Sequence, residues 1–175
     1  MGSFLHSRYG AAMTNPSPAA APAPNPDDVV TVERVIPAPP EKIFDLLADP
    51  RRHREIDGSG TVRDPDGPAQ RLALGSKFNM KMKMGIPYTM VNTVIEFDDN
   101  KRIAWQPRPA ARLGRSFGGR IWRYQLDPVD GGTRVRESWD ISQERGMKSL
   151  VRKGGKHTAE AMTKTLERIE EIVTK

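Results

Sequence analysis

The longest regular pattern of apolar positions lies at the end of the chain. Over residues 156–175, Ala159, Met162, Leu166, Ile169 and Val173 recur at intervals of three, four, three and four. That spacing gathers side chains into one stripe along an α-helix. Lys164, Glu167, Arg168, Glu170 and Glu171 fall on the other faces, a solvated surface of mixed charge. A stripe of this kind needs a partner surface, so the spacing predicts a docking helix.

Most of what precedes it alternates with a period of two. Phe78, Met80, Met82 and Met84 interleave with Lys77, Asn79, Lys81 and Lys83, which makes one face of this strand oily and the other cationic. Residues 29–36, 87–97, 101–107, 119–126 and 133–141 read as further strands, with Asp98-Asp99-Asn100 and Asp130-Gly131-Gly132 as turns. Two short helices follow the first strand. Pro40 suits a first helical turn and Glu41 its positive end, and Ile43, Phe44, Leu46 and Leu47 supply a buried face up to Pro50. Residues 51–56 make the second helix. Asp57-Gly58-Ser59-Gly60 is a turn cluster without the glycine spacing or basic residue of a phosphate-binding loop. Residues 107–119, with Arg108, Arg112, Arg115 and three glycines, read as a mobile basic loop. The pattern predicts an α+β fold, in which a curved antiparallel sheet is closed by the long C-terminal helix, leaving a cavity between them.

Composition narrows the chemistry. Residues 1–27 hold Pro16, Pro18, Pro22, Pro24 and Pro26 among alanines, which predicts a disordered Pro/Ala-rich head outside the fold. Residues 28–175 then form one domain, long enough for a single core. There is no apolar run after a basic start and no stretch able to span a bilayer, so a cytoplasmic protein is expected. The chain has no cysteine, which excludes disulfides, thiolate metal sites and cysteine nucleophiles. His6, His53 and His157 show no ligand spacing, so neither a metal nor a cofactor is expected. His53, flanked by Arg51, Arg52 and Arg54, reads as an exposed surface residue. The net charge of +6 and pI near 9.8 attract acidic partners. Nucleic-acid binding rests on that charge alone, because no basic recognition helix or stacking aromatic motif accompanies it.

One strand, two short helices, a run of antiparallel strands and a long final helix resemble the START-like, Bet v 1-type helix-grip superfamily. The stretch Val35-Ile-Pro-Ala-Pro-Pro-Glu-Lys-Ile-Phe-Asp-Leu-Leu-Ala-Asp-Pro50 is similar to the entry segment of its bacterial polyketide cyclase/dehydrase-like (SRPBCC) group. Arg102-Ile-Ala-Trp105, Gly132-Thr-Arg-Val135 and Thr165-Leu-Glu-Arg-Ile169 extend the resemblance over residues 28–175. The resemblance implies a hydrophobic small-molecule ligand, such as a lipid or polyketide, with polyketide cyclase or dehydratase activity as the alternative. Fold-level analogy does not choose between them.

Alternation places Phe78, Met80 and Met82 on the concave face of one strand and Trp122, Tyr124 and Leu126 on that of another, with Trp105 joining them. Met162 faces them from the helix stripe. Methionine and aromatic side chains make an adaptable apolar wall for a hydrophobic ligand, and the same residue types also fill an ordinary core. Glu137 shares its strand phase with Thr133, Val135, Trp139 and Ile141, and a carboxylate there costs free energy unless it is paired. Three placements are open. Glu137 serves as a general base with Tyr124 as hydrogen-bond donor, as an aldol-type cyclisation needs, or it pairs with an arginine, or it lies at a solvated strand end.

In the helix-grip arrangement, Arg108, Arg112, Arg115 and Arg120 gather with Arg145, Lys148, Arg152, Lys153 and Lys156 into a basic rim around the cavity mouth. Such a rim steers an anionic head group, an acidic carrier protein or an anionic lipid surface, and salt weakens it. The expected outcome for an Arg112→Glu, Arg115→Glu, Lys153→Glu variant is slower ligand association with a flatter dependence on ionic strength. Stopped-flow rates that match the wild type at every salt concentration would remove steering from the account.

Overall fold

The computed structural model describes residues 25–66, 70–110 and 118–175. Most of the predicted head, and the loop positions Arg112 and Arg115, lie outside the described residues. Pro26–Asp28 form a 3₁₀ turn capped by the Asn25 side chain, and β1 (Val29–Ile36) follows. Next come α1 (Pro40–Ala48), a 3₁₀ turn at Pro50–Arg52, α2 (His53–Ile56) and β2 (Val62–Asp66). The remaining strands are β3 (Lys77–Met84), β4 (Ile86–Asp98), β5 (Arg102–Pro109), β6 (Ile121–Val129) and β7 (Gly132–Asp140). Two helices end the chain, α3 (Lys148–Lys153) and α4 (Gly155–Val173).

The strands form one seven-stranded sheet in the order β1-β7-β6-β5-β4-β3-β2, antiparallel throughout. From β2 to β7 each strand pairs with its successor. The pairing of β1 with β7 draws the start of the domain to its end. α4 lies against β1 and β7 with α1 and α2 beside it, so the sheet and the helices enclose one main core. This is the α+β architecture that the patterning predicts, in the helix-grip form that the resemblance implies.

Each predicted periodicity has its burial counterpart. Met162, Leu166, Ile169 and Val173 are buried on α4, Ala159 is half-buried, and Lys164, Glu167, Arg168 and Glu171 are exposed. Each fully buried leucine or isoleucine of that stripe contributes about 1.5–3 kcal/mol. On β3, Phe78 and Met80 are buried while Lys77, Asn79, Lys81 and Lys83 are exposed. α1 buries Ile43, Phe44, Leu46, Leu47 and Ala48.

Two elements lie beyond the patterning. β2, with the sequence Val-Arg-Asp-Pro-Asp, has no apolar alternation; it is an edge strand with an irregular register, where proline is tolerated because no further strand requires its N–H. α3 is a separate short helix ahead of the final one. Gly154 ends it, and Gly155 opens α4 so close to β1 that a Cβ there would lie 3.3 Å from Val30 Cγ2.

The backbone after α2 approaches α4 closely at Gly58. A Cβ on this residue would lie 2.1 Å from the Ala161 carbonyl oxygen and 2.6 Å from the Thr165 amide of α4. Gly60, two residues on, has φ +68°, and a Cβ there would meet nothing within 4 Å. The two glycines therefore separate packing from backbone conformation. Gly58→Ala is expected to lower the unfolding free energy by about 3 kcal/mol through overpacking. Gly60→Ala should cost about 1–2 kcal/mol, the ordinary penalty of a side chain in the left-handed region. Equal losses in urea denaturation would show that the approach of α2 to α4 is not sterically limited.

Candidate functional site

The antiparallel register decides which side chains meet on the concave face. Ile103 stands opposite Tyr124, Tyr124 opposite Glu137, and Glu137 opposite Val32, forming one row across β5, β6, β7 and β1. A second row runs through Trp105, Trp122, Trp139 and Val30. Directly opposed residues project from the same face of the sheet, so each row is a line of neighbours.

Tyr124 and Glu137 are 4% and 2% exposed, and the Tyr124 hydroxyl donates to Glu137 Oε1 at 2.8 Å. Glu137 Oε2 is buried without a hydrogen-bond partner. Burial pushes the Glu137 carboxyl up to about 8; the Tyr124 bond opposes the shift and the Asp57 carboxylate adds to it. Near neutral pH the group is a carboxylic acid, with Oε2 free to carry the proton. Burial, with Glu137 beside it, also raises the Tyr124 phenol well above its ordinary value, so it remains a donor.

His53 completes the site, and it corrects the expectation of an exposed residue. It is 4% exposed, and its Nε2 lies 2.9 Å from the Leu47 carbonyl oxygen. A carbonyl only accepts, so Nε2 is the donor, and the neutral ring keeps a bare acceptor at Nδ1. That atom is buried and without a partner. Burial holds the imidazole below its usual pKa, against the Leu47 hydrogen bond and the Asp49 charge. The ring stacks on Trp105, with centroids 5.0 Å apart and planes at 21°, and meets Phe78 edge-on at 5.5 Å. Trp105 lies 5.5 Å from Tyr124, so rings continue from Phe78 and His53 through Trp105 and Tyr124 to the Glu137 carboxyl. Three arginines around His53 point a reading of the sequence towards solvent. The decisive signal is its i, i+3 spacing from Ile56, which turns both residues inward from α2 while Arg51, Arg54 and Glu55 are exposed.

The remaining predicted residues divide. Phe78, Met80, Trp105, Tyr124 and Leu126 belong to one packed cluster, against which Met82 and Trp122 are half-buried. Met162 belongs to a smaller cluster with Trp139 and Ile141, and Trp122 touches both. In the rim, Lys153 is exposed on α3. Lys148 and Arg152 pair with Asp28, and Arg120 pairs with Glu144. Lys148 and then Arg152 hold the Asp28 carboxyl below its usual range.

Two surface concavities of about 420 and 470 Å³ lie near Lys101 and Leu126 and near Arg34 and Glu170. Only Leu126 of the predicted wall borders either. Among the described residues no three His, Asp or Glu side chains converge as metal ligands, and no helix is long and apolar enough to cross a membrane.

Comparison with known proteins agrees with this fold. A family profile described as "Polyketide cyclase / dehydrase and lipid transport" matches residues 28–173. An uncharacterized protein of Mycobacterium tuberculosis H37Rv, Rv0088, is 36% identical over 116 residues, covering 65% of this chain and 48% of the relative. The chain thus matches about half the length of that relative. Protein MLL2253 of Mesorhizobium loti has the same fold, with a TM-score of 0.61 at 22% identity over 83% of this chain and 96% of its own. Protein Ms6760 of Mycobacterium smegmatis gives a TM-score of 0.64 at 16% identity over 85% and 92%. With the family profile matching residues 28–173, well over half of its length, the chain belongs to the polyketide cyclase/dehydrase and lipid transport family.

Proposed function

We propose that this protein encloses a hydrophobic small molecule between α2, α4 and the concave sheet face, using the Phe78–Trp105–Tyr124 wall and Glu137 as a polar anchor. The observation that carries this reading is a carboxyl only 2% exposed, bonded to Tyr124 through one oxygen and set in an aromatic wall. A protonated Glu137 donates from Oε2 to a carbonyl of the ligand, and the rings cover its apolar body at about 25 cal/mol for each Å² removed from water. Met80, Met82, Trp122, Leu126 and Met162 extend the apolar surface. The family description, which joins polyketide chemistry and lipid transport, supports an apolar ligand.

Entry is assigned to α3. None of its residues is buried, and Gly154 separates it from α4, so it belongs to the least stable part of the fold. Lys153, exposed on α3, would then present positive charge to an anionic head group, an acidic carrier protein or an anionic lipid surface.

One observation favours a second reading, a polyketide cyclase or dehydratase. A carboxyl raised to about 8 supplies a proton at neutral pH, so Glu137 would act as a general acid, oriented by Tyr124. The general-base role belongs to pH values above that.

Native mass spectrometry after incubation with fatty acids and aromatic polyketides tests the binding reading. The expected result is retention of an apolar, carbonyl-bearing ligand, weakened about tenfold by Glu137→Leu. A wild-type protein that retains none of them would sink it. For catalysis the informative variant is Glu137→Gln, since turnover unaffected by it would remove Glu137 from the mechanism.

Stability against pH checks the protonation of Glu137 without any ligand. Its folded value of about 8 lies above the ordinary glutamate value of about 4.3, so the folded state keeps a proton that the unfolded chain releases. The resulting contribution is full below about 4.3 and is lost as pH rises towards 8. Urea denaturation across this range should show the wild type losing a few kcal/mol relative to Glu137→Gln. His53 is present in both proteins, and the Tyr124 phenol, raised well above its ordinary value, stays protonated across this range. Parallel profiles would show that Glu137 does not titrate in this way.

A further inference from the structure

His53 carries more chemistry than a filler of the core requires. A phenylalanine would stack on Trp105 equally well and would bury no polar atom. The imidazole instead brings an acceptor nitrogen out of water with nothing to bond it, an arrangement that ordinarily costs about 1–3 kcal/mol. The ring is also held in place. Nε2 is tied to the Leu47 carbonyl, and the turn after α2 is fastened to α4 by the Gly58 amide to Thr165 Oγ1 and by Arg168 to the Asp57 carbonyl. The tautomer is therefore fixed by Leu47 and the position by α4, which leaves Nδ1 as a preorganised acceptor on the aromatic run that ends at Glu137.

We infer that His53 is a ligand-binding residue whose Nδ1 accepts a hydrogen bond from a hydroxyl or N–H group of the molecule lying against Trp105. This deepens the binding reading above and rests on it. The two buried polar atoms without partners on this wall are complementary, Nδ1 accepting and protonated Glu137 Oε2 donating. The matching ligand is an apolar, flat molecule with a hydroxyl at one edge and a carbonyl at another. Glu137 alone selects for a carbonyl, whereas His53 adds discrimination between a free hydroxyl and its ether.

Three probes test this: a hydroxylated acetylnaphthalene, its O-methyl ether, and acetylnaphthalene without the hydroxyl. Each is titrated by calorimetry into the full chain and into His53→Gln and His53→Phe. Glutamine retains a donor for Leu47 but moves its acceptor, Oε1, away from the place of Nδ1, and phenylalanine retains the ring and lacks both donor and acceptor. The wild type is expected to prefer the hydroxyl probe about tenfold over the ether, and both variants to lose that preference while still binding the ether.

In nitrogen-detected NMR of the wild type, the Nδ1 resonance should shift towards the hydrogen-bonded range with the hydroxyl probe and stay in place with the ether. This readout does not depend on either variant folding. Equal wild-type affinity for the hydroxyl and ether probes, or an unmoved Nδ1 signal, overturns the assignment of His53 and leaves the apolar site standing. No binding of any probe overturns both readings. A wild-type preference that persists in His53→Phe, which has no acceptor at this position, places the hydroxyl elsewhere and overturns the assignment as well.

Discussion

At Gly58 the backbone after α2 comes so near α4 that a methyl group would lie 2.1 Å from the Ala161 carbonyl oxygen, and the site depends on this contact. α2 has only four residues, too few to hold a helical conformation without tertiary support. The Gly58 amide donating to Thr165, and Arg168 bonding the Asp57 carbonyl, fasten its far end to the long helix. Its near end is fixed by His53 bonding back to Leu47. A short helix held at both ends can press one ring onto Trp105, and α4 serves as a brace for α2 as well as a cover for the sheet.

Electrostatics divide the molecule in the same way. On the outer face charges meet charges: Arg123 bonds Glu96 through both of its oxygens, and Arg136 bonds Asp127. Around the chain's entry into β1, Lys148 and Arg152 converge on Asp28. Those carboxylates are held below their usual range by the cations beside them, first Arg123 for Glu96, Arg136 for Asp127 and Lys148 for Asp28. Glu137 goes the other way, because its neighbours in the register are a phenol and apolar side chains. Most of these ion pairs are partly exposed, and such pairs contribute little to stability. A carboxyl buried among rings works against stability unless it stays neutral, and on that ground a binding or proton-donating role is proposed for Glu137.

The sequence conveys the periodic parts of this structure and conceals the contacts between them. Alternation on β3 and the stripe on α4 have direct physical readouts, since a strand or helix with one wet face shows its period in the residues themselves. β2 shows no such period because its sequence, with a proline and two aspartates, does not alternate apolar and polar residues. The concave phase of Glu137 and Tyr124 is visible, but their being opposite one another depends on register, which the turns between strands set and composition does not. His53 is hidden for a different reason. Three arginines beside it signal solvent, and on a helix of one turn the inward direction is set by the partner that the helix docks against, here a sheet distant in the chain.

The fold tolerates wide change in the residues that build it. Backbones that superpose at a TM-score of 0.61 share only 22% of their residues with this chain, because a curved sheet under a helix asks for apolar side chains of suitable volume in the right phase and little more. Patterning of that kind fixes the shape of the space between helix and sheet without fixing its chemistry. In the proposed site, discrimination among ligands would come from the few polar atoms inside, since an additional methylene changes binding by only about 1–3 kcal/mol while a buried polar group left unpaired rejects a poor match far more strongly. On this wall those atoms are Glu137 Oε2 and His53 Nδ1, and each residue is held through its other polar atom, Glu137 Oε1 by the Tyr124 hydroxyl from the sheet and His53 Nε2 by the Leu47 carbonyl at the end of α1. They are carried by different layers of the fold. Any molecule that engages both atoms joins the sheet to the α2 helix, and binding would stabilise the same apposition that Gly58 makes possible.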